Sequence, residues 1–80
     1  MLKLRLKRHG RRKKPFYRIV VMNVKTKRDG KVIEDLGFYN PMDKTLRMNW
    51  ERVKIRLKNG ARPTKVVENF YKQYLEKIKN

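Results

Sequence analysis

Seven carboxylates, one histidine and no cysteine are all that this 80-residue chain offers for acid–base, nucleophilic or metal chemistry. Glu34 and Asp35 are neighbours in a strand-like stretch, so they point to opposite faces and cannot form a dyad. Asp29 and Asp43 sit in turn-like segments, where carboxylates bond the local backbone, and Glu51, Glu68 and Glu76 are spread along helical stretches. A two-metal nuclease centre needs carboxylates converging on ions ~3.5–4 Å apart, and this spacing offers none. Without cysteine there is neither a disulfide framework nor a thiolate site, and one histidine excludes a His-based zinc site. Gly10, Gly30, Gly37 and Gly60 make no phosphate-loop pattern. No catalysis, metal or cofactor is expected.

The abundant chemistry is cationic. Lysine and arginine number 24, and the formal net charge is +17. Residues 1–14 carry +8 with no acid, residues 15–31 carry +4, residues 32–49 carry −1 and residues 50–80 carry +6. Ordinary surfaces mix both signs; the first 14 residues hold only one. Such a charge repels itself, and phosphates relieve the repulsion while their condensed counterions are released. Leu2, Leu4 and Leu6 alternate with Lys3, Arg5 and Lys7, giving one apolar and one basic strand face. Cations on one strand face stand ~7 Å apart, close to the repeat of successive phosphates. His9, between Arg8 and Gly10, reads as a phosphate or base contact. Tyr17 and Tyr39 read either as base-stacking residues or as core aromatics with satisfied hydroxyls. No apolar run approaches the ~18–20 residues of a membrane span, and the opening Met-Leu-Lys-Leu-Arg-Leu lacks the apolar centre of a signal peptide.

The elements that must hold these residues follow from period and punctuation. After the first strand, Arg8 to Pro15 is expected to be a loop, and Phe16 to Val24 a central strand. Residues 25–31 form a second basic loop whose Asp29–Gly30 pair suits a hairpin turn. Val32 to Asn40 is a third strand, with Gly37 marking a bulge or a close backbone approach, and Thr45 to Met48 a fourth. Asn49 is an N-cap for a helix with Trp50, Val53 and Leu57 inward, ended by Asn59–Gly60; Ile55 falls off that stripe. Thr64 caps a second helix carrying Val67, Phe70, Tyr71, Tyr74, Leu75 and Ile78 at helical spacing. The expected core is Leu4, Val20, Leu36, Val53 and Phe70, with Phe16, Phe38, Trp50 and Tyr71 also inside. Together these predict a two-layer α+β fold: a small, mostly antiparallel or mixed sheet of four to five strands, with two helices on one face, forming one domain over residues 1–80.

No helix-turn-helix, zinc finger, basic zipper or RNA-recognition octapeptide is present, so the composition points only to a nucleic-acid backbone binder. The order of fragments is more specific. Leu4-Arg5-Leu6-Lys7-Arg8, Gly10, Pro15, Tyr17 to Val21, Arg28-Asp29-Gly30-Lys31, Ile33-Glu34, Gly37, Tyr39-Asn40-Pro41, Glu51-Arg52, Leu57, Gly60-Ala61 and Pro63-Thr64 resemble protein sixteen of the small ribosomal subunit of bacteria and plastids, across essentially the whole chain. Asn23, Ile55-Arg56 and Arg62 depart from that pattern, and Arg62 is expected to add an RNA contact. The resemblance implies a structural ribosomal protein that binds small-subunit (16S-type) ribosomal RNA beside neighbouring small-subunit proteins, with no membrane and no small-molecule substrate. It also implies contacts through the first strand and both basic loops. The expected RNA-binding set is Lys3, Arg5, Lys7, Arg8, His9, Arg11, Arg12, Lys13, Lys14, Tyr17, Arg18, Lys25, Lys27, Arg28, Lys31, Tyr39 and Arg62. Bacterial cytoplasm and plastid stroma both fit, and the lysine and asparagine richness leans toward an AT-rich organelle genome. The competing reading is a DNA-binding or metal-dependent DNA-nicking protein.

Overall fold

The computed structural model describes residues 1–23 and 32–79. Five strands and two helices follow in the order β1 (Leu2–Arg11), β2 (Lys14–Asn23), β3 (Val32–Asn40), β4 (Thr45–Met48), α1 (Trp50–Lys58), β5 (Arg62–Pro63) and α2 (Lys65–Lys79). The sheet order is β4-β3-β2-β1-β5, antiparallel except for the parallel β1–β5 pair. The two-layer α+β expectation holds, and the sheet is mixed.

Alternation in β1 sorts its two faces as expected. Leu4 pairs with Val21 and Leu6 with Ile19, and these face the helices. Leu4, Ile19, Val21, Leu36, Val53, Ala61 and Val67 form one buried cluster, with Leu57, Trp50 and Tyr71 packed against it. Both helices therefore cover the same sheet face. Local signals set their ends. Asn49 Oδ1 accepts the Arg52 N–H at 3.3 Å, the expected N-cap bond for α1. At its other end Gly60 adopts φ +94°, the Gly60 N–H reaches the Leu57 carbonyl and the Ala61 N–H reaches that of Arg56. That is a Schellman motif, and it drops Ala61 into the core. Thr64 then donates its N–H to Leu4 O and accepts from Glu68 N, tying the start of α2 to β1.

Several expectations change. Residues 8–15 are not a loop: β1 continues to Arg11, β2 starts at Lys14, and only Arg12 and Lys13 turn the chain. Gly10 makes this continuation possible, because at its φ of +86° a Cβ would lie 2.6 Å from the Lys14 carbonyl oxygen. β5 is only two residues long and exists through its pairing with β1. Leu4, Leu36 and Val53 are buried as expected, but Phe70 is only partly buried and Val67 takes its place in the core. Val20 is 1% exposed yet faces away from the helices, between Arg5 and Asp35 in register, beneath the aliphatic stems of its long neighbours. Phe16 and Phe38 also leave the core: their register partners His9 and Arg18 place them on the helix-free face. Ile55 is exposed on α1. Val24, the loop over residues 25–31 and its Asp29–Gly30 turn lie outside the described residues.

Gly37 serves in both expected ways. The β2–β3 register slips between Ile19 and Val20, so Leu36 is the extra residue of a β-bulge and enters the core. A Cβ on Gly37 would sit 1.9 Å from the Arg47 carbonyl oxygen of β4. The bulge leaves Glu34 facing α1 and Asp35 facing away from it, so the two acids part as expected.

Candidate nucleic-acid interface

Register partners in a sheet share a face, so the strand pairing defines the face that neither α1 nor α2 covers. From β1 it receives Lys3, Arg5, Lys7, His9 and Arg11, and from β2 Lys14, Phe16, Arg18, Val20 and Met22. β3 and β4 add Asp35, Phe38 and Arg47, and β5 adds Arg62 beside Lys3. Three like-charged pairs stand directly opposite one another: Lys3 with Arg62, Lys7 with Arg18, and Arg11 with Lys14. Opposed like charges destabilise a sheet by roughly 0.2–1 kcal/mol per pair. Among the described residues, only one of the three is relieved by an acid. Asp35 accepts from Arg18 Nε and, at 3.0 Å, from Nη2, while its Oδ1 also takes the Gly37 N–H at 3.1 Å. The hydrogen bond to Asp35 raises the pKa of Arg18 and aims its guanidinium along the sheet.

Three other described carboxylates, Glu34, Asp43 and Glu68, are engaged away from this face. Glu34 holds Arg52 Nε at 2.8 Å and Nη2 at 3.2 Å, and Arg56 Nε at 2.8 Å. These two guanidinium groups hold the Glu34 carboxyl below its ordinary range. Asp43 accepts the Thr45 N–H, its pKa is lowered by hydrogen bonding to the Thr45 side chain and then to the Thr45 backbone, and Glu68 pairs with Lys72 at 3.2 Å. Among the described residues no group of three or more His, Cys, Asp and Glu side chains is placed to hold a metal ion. No helix among them is long and apolar enough to cross a membrane.

The structure gathers most of the expected site residues but divides others. Lys3, Arg5, Lys7, His9, Arg11, Lys14, Arg18 and Arg62 converge on the open face. Arg12 and Lys13 form the exposed hairpin tip at its end. Arg8 projects to the helix side, where Nη2 reaches the Arg12 carbonyl at 3.5 Å. Tyr17 and Tyr39 are opposite each other on that same side, and Tyr39 packs against Phe70 with ring centroids 5.0 Å apart. The aromatics on the basic face are Phe16, stacked on His9 at 5.6 Å, and Phe38, between Arg18 and Arg47. Reading parity back from Arg18 would have found Phe16. Phe38 and Arg47 were hidden by the bulge, which shifts parity beyond Leu36. Lys25, Lys27, Arg28 and Lys31 lie outside the described residues.

Fold and face together define a class: a small basic α+β domain with one sheet face sealed by helices and the other bare and cationic. Comparison with known proteins makes this particular. The family model for ribosomal protein S16 matches residues 8–64. "Small ribosomal subunit protein bS16c" of Cyanidioschyzon merolae is 59% identical over 71 residues, covering 89% of this chain and 95% of the relative. The bS16c of Pyropia yezoensis is 58% identical over 69 residues, covering 86% and 84%. "Small ribosomal subunit protein bS16" of Finegoldia magna is 51% identical over 73 residues, covering 89% and 88%. The chain belongs to the ribosomal protein S16 family, and its class is that of a structural constituent of the ribosome. Relatives of both expected settings occur, the plastid-type bS16c and the bacterial bS16.

Proposed function

We propose that the chain binds small-subunit ribosomal RNA through the open face of its sheet and the Arg11–Lys14 hairpin tip, and thereby supports assembly and stability of the small-subunit body. The role is structural, carried by one domain and without catalysis. The carrying observation is the set of opposed like charges, Lys3 with Arg62 and Arg11 with Lys14, on a face holding a single described acid, Asp35. A sheet pays for such pairs in isolation and recovers the cost when phosphates enter between them. β1 supplies a row of cations at ~7 Å spacing, and β2 adds Lys14 and Arg18 beside it. Family membership supports the choice of ribosomal RNA over other polyanions. In this reading the cations Lys25, Lys27, Arg28 and Lys31 also contact RNA, as does Arg8 from the hairpin's other side.

If roughly 6–10 phosphates are contacted, affinity for a structured small-subunit RNA fragment falls about 10³–10⁵-fold between 50 and 200 mM salt, taking the duplex-DNA relation as the scale. Fluorescence anisotropy titrations across that range test it. An affinity flat in salt would refute the electrostatic account.

A further inference from the structure

Beside Phe16 the open face has a cleft of about 330 Å³ lined by Lys14, Pro15, Phe16, Asn40 and Met42. We infer that this cleft is a nucleobase site: it takes one unpaired base of the bound RNA, stacked on Phe16 and held at an acceptor edge by the Asn40 amide, with Lys14 on the adjoining phosphate. The inference rests on the RNA-binding reading and narrows it to RNA with an extruded nucleotide.

Three features make the cleft specific. The Phe16 ring is fixed from the β1 side: it stacks on His9 at an interplanar angle of 20°, and the missing Cβ of Gly10, which would lie 3.0 Å from Phe16 Cδ1, leaves it room. One ring face is thus occupied, while the ring borders the cleft on the β3 side. Asn40 is likewise oriented. Its Oδ1 accepts the Met42 N–H at 3.0 Å, which leaves the amide Nδ2, with no partner among the described residues, as the group able to donate. Two N–H donors match a base carbonyl or ring nitrogen. Lys14 is part of the opposed Arg11–Lys14 pair, so a phosphate there gains from two cations. An aromatic plane, a fixed amide donor and a phosphate-binding cation in one cleft are the parts that unpaired bases require, whereas a paired base exposes no free face to stack.

The test compares two probes, a fully paired RNA hairpin and the same hairpin carrying one bulged nucleotide, made with each of the four bases. The wild-type protein is expected to bind the bulged hairpin about tenfold more tightly, the low end of what one base–aromatic stack supplies. Phe16→Leu should bring that ratio to about one with the salt dependence unchanged. Asn40→Asp keeps the acceptor for Met42 but removes the donor, so it should lower the ratio beyond its charge effect, which both hairpins share. Lys3→Ala/Arg5→Ala/Lys7→Ala should weaken both hairpins alike and preserve the ratio. Circular dichroism melts establish that each variant is folded. Equal wild-type binding of bulged and paired hairpins, or a preference that survives Phe16→Leu in a folded protein, overturns the base site and leaves RNA binding standing. Binding to neither hairpin overturns both.

Discussion

Glu34 is the residue on which the helix side is most sharply poised. It is one carboxylate between two guanidinium groups, Arg52 and Arg56, and without it α1 would set two cations against each other over the edge of β3. Its pKa is depressed in the folded protein, chiefly by the hydrogen bonds from Arg52 and then Arg56. The stabilisation is therefore complete above the unfolded value of about 4.3 and is lost as pH falls through the lower folded value. Glu34→Gln should cost about 1 kcal/mol at neutral pH, the scale of a partly exposed charge-assisted pair. The gap between wild type and variant should close as pH drops below about 4. Urea denaturation of both proteins from pH 7 to pH 3 checks this, and a gap constant with pH would show that the carboxylate charge is not what matters.

At the scale of the element, β4 is held by a contact that permits no side chain. Gly37 lies against the Arg47 carbonyl, and an added methyl carbon at 1.9 Å would force the two strands apart. The obstacle is backbone, so no rotamer change relieves it. Gly37→Ala should cost at least about 3 kcal/mol, comparable to the larger single-site losses in cores. It should also expose the β4 amides to hydrogen exchange before those of β1 and β2. Uniform loss of protection across the sheet would mean that β4 is not separately anchored. Detachment of β4 would also carry away Asn49, whose N–H bonds the Leu36 carbonyl and whose side chain caps α1. The bulge thus links the edge strand to the helix that covers the core.

The whole molecule is a slab, 40 × 35 × 17 Å, with an apolar seam on one side of the sheet and cations on the other. Substitutions on the two sides should therefore have opposite consequences. Leu4 is fully buried, so Leu4→Ala should cost ~3–5 kcal/mol. A small domain without disulfides has only ~5 kcal/mol in hand, and the free variant should be largely unfolded. RNA binds the folded state alone, so a saturating small-subunit RNA fragment should restore much of its structure. Lys3→Ala/Arg5→Ala/Lys7→Ala should leave the free protein folded, and more stable as the repulsion falls, while its RNA affinity drops. Circular dichroism melts with and without the fragment decide between these outcomes. A triple variant that unfolds while Leu4→Ala stays folded would reverse the assignment of the two faces.

What could be read from the chain alone was whatever short-range chemistry dictates. The Leu2-Leu4-Leu6 alternation sorted β1, the Asn49 and Asn59–Gly60 signals ended α1, and the helical spacing from Val67 to Leu75 placed α2 on the core. The concentration of positive charge in the first residues, and the fragments shared with the ribosomal family, were equally legible. Only the tertiary structure decided where Phe16, Phe38 and Tyr39 stand, because aromatic residues suit either face of a strand and a side is chosen by register. One extra residue at Leu36 reverses parity along β3; Gly37 signals a bulge nearby, but which residue is extra is fixed only once β2 is beside it. Residues 8–14 read as a loop because Gly10 and Pro15 break local patterns, yet paired across a tight turn they complete a ten-residue ladder. Opposed cations such as Arg11 and Lys14 exist only once that ladder closes, since their neighbourhood is a property of two strands and not of either one.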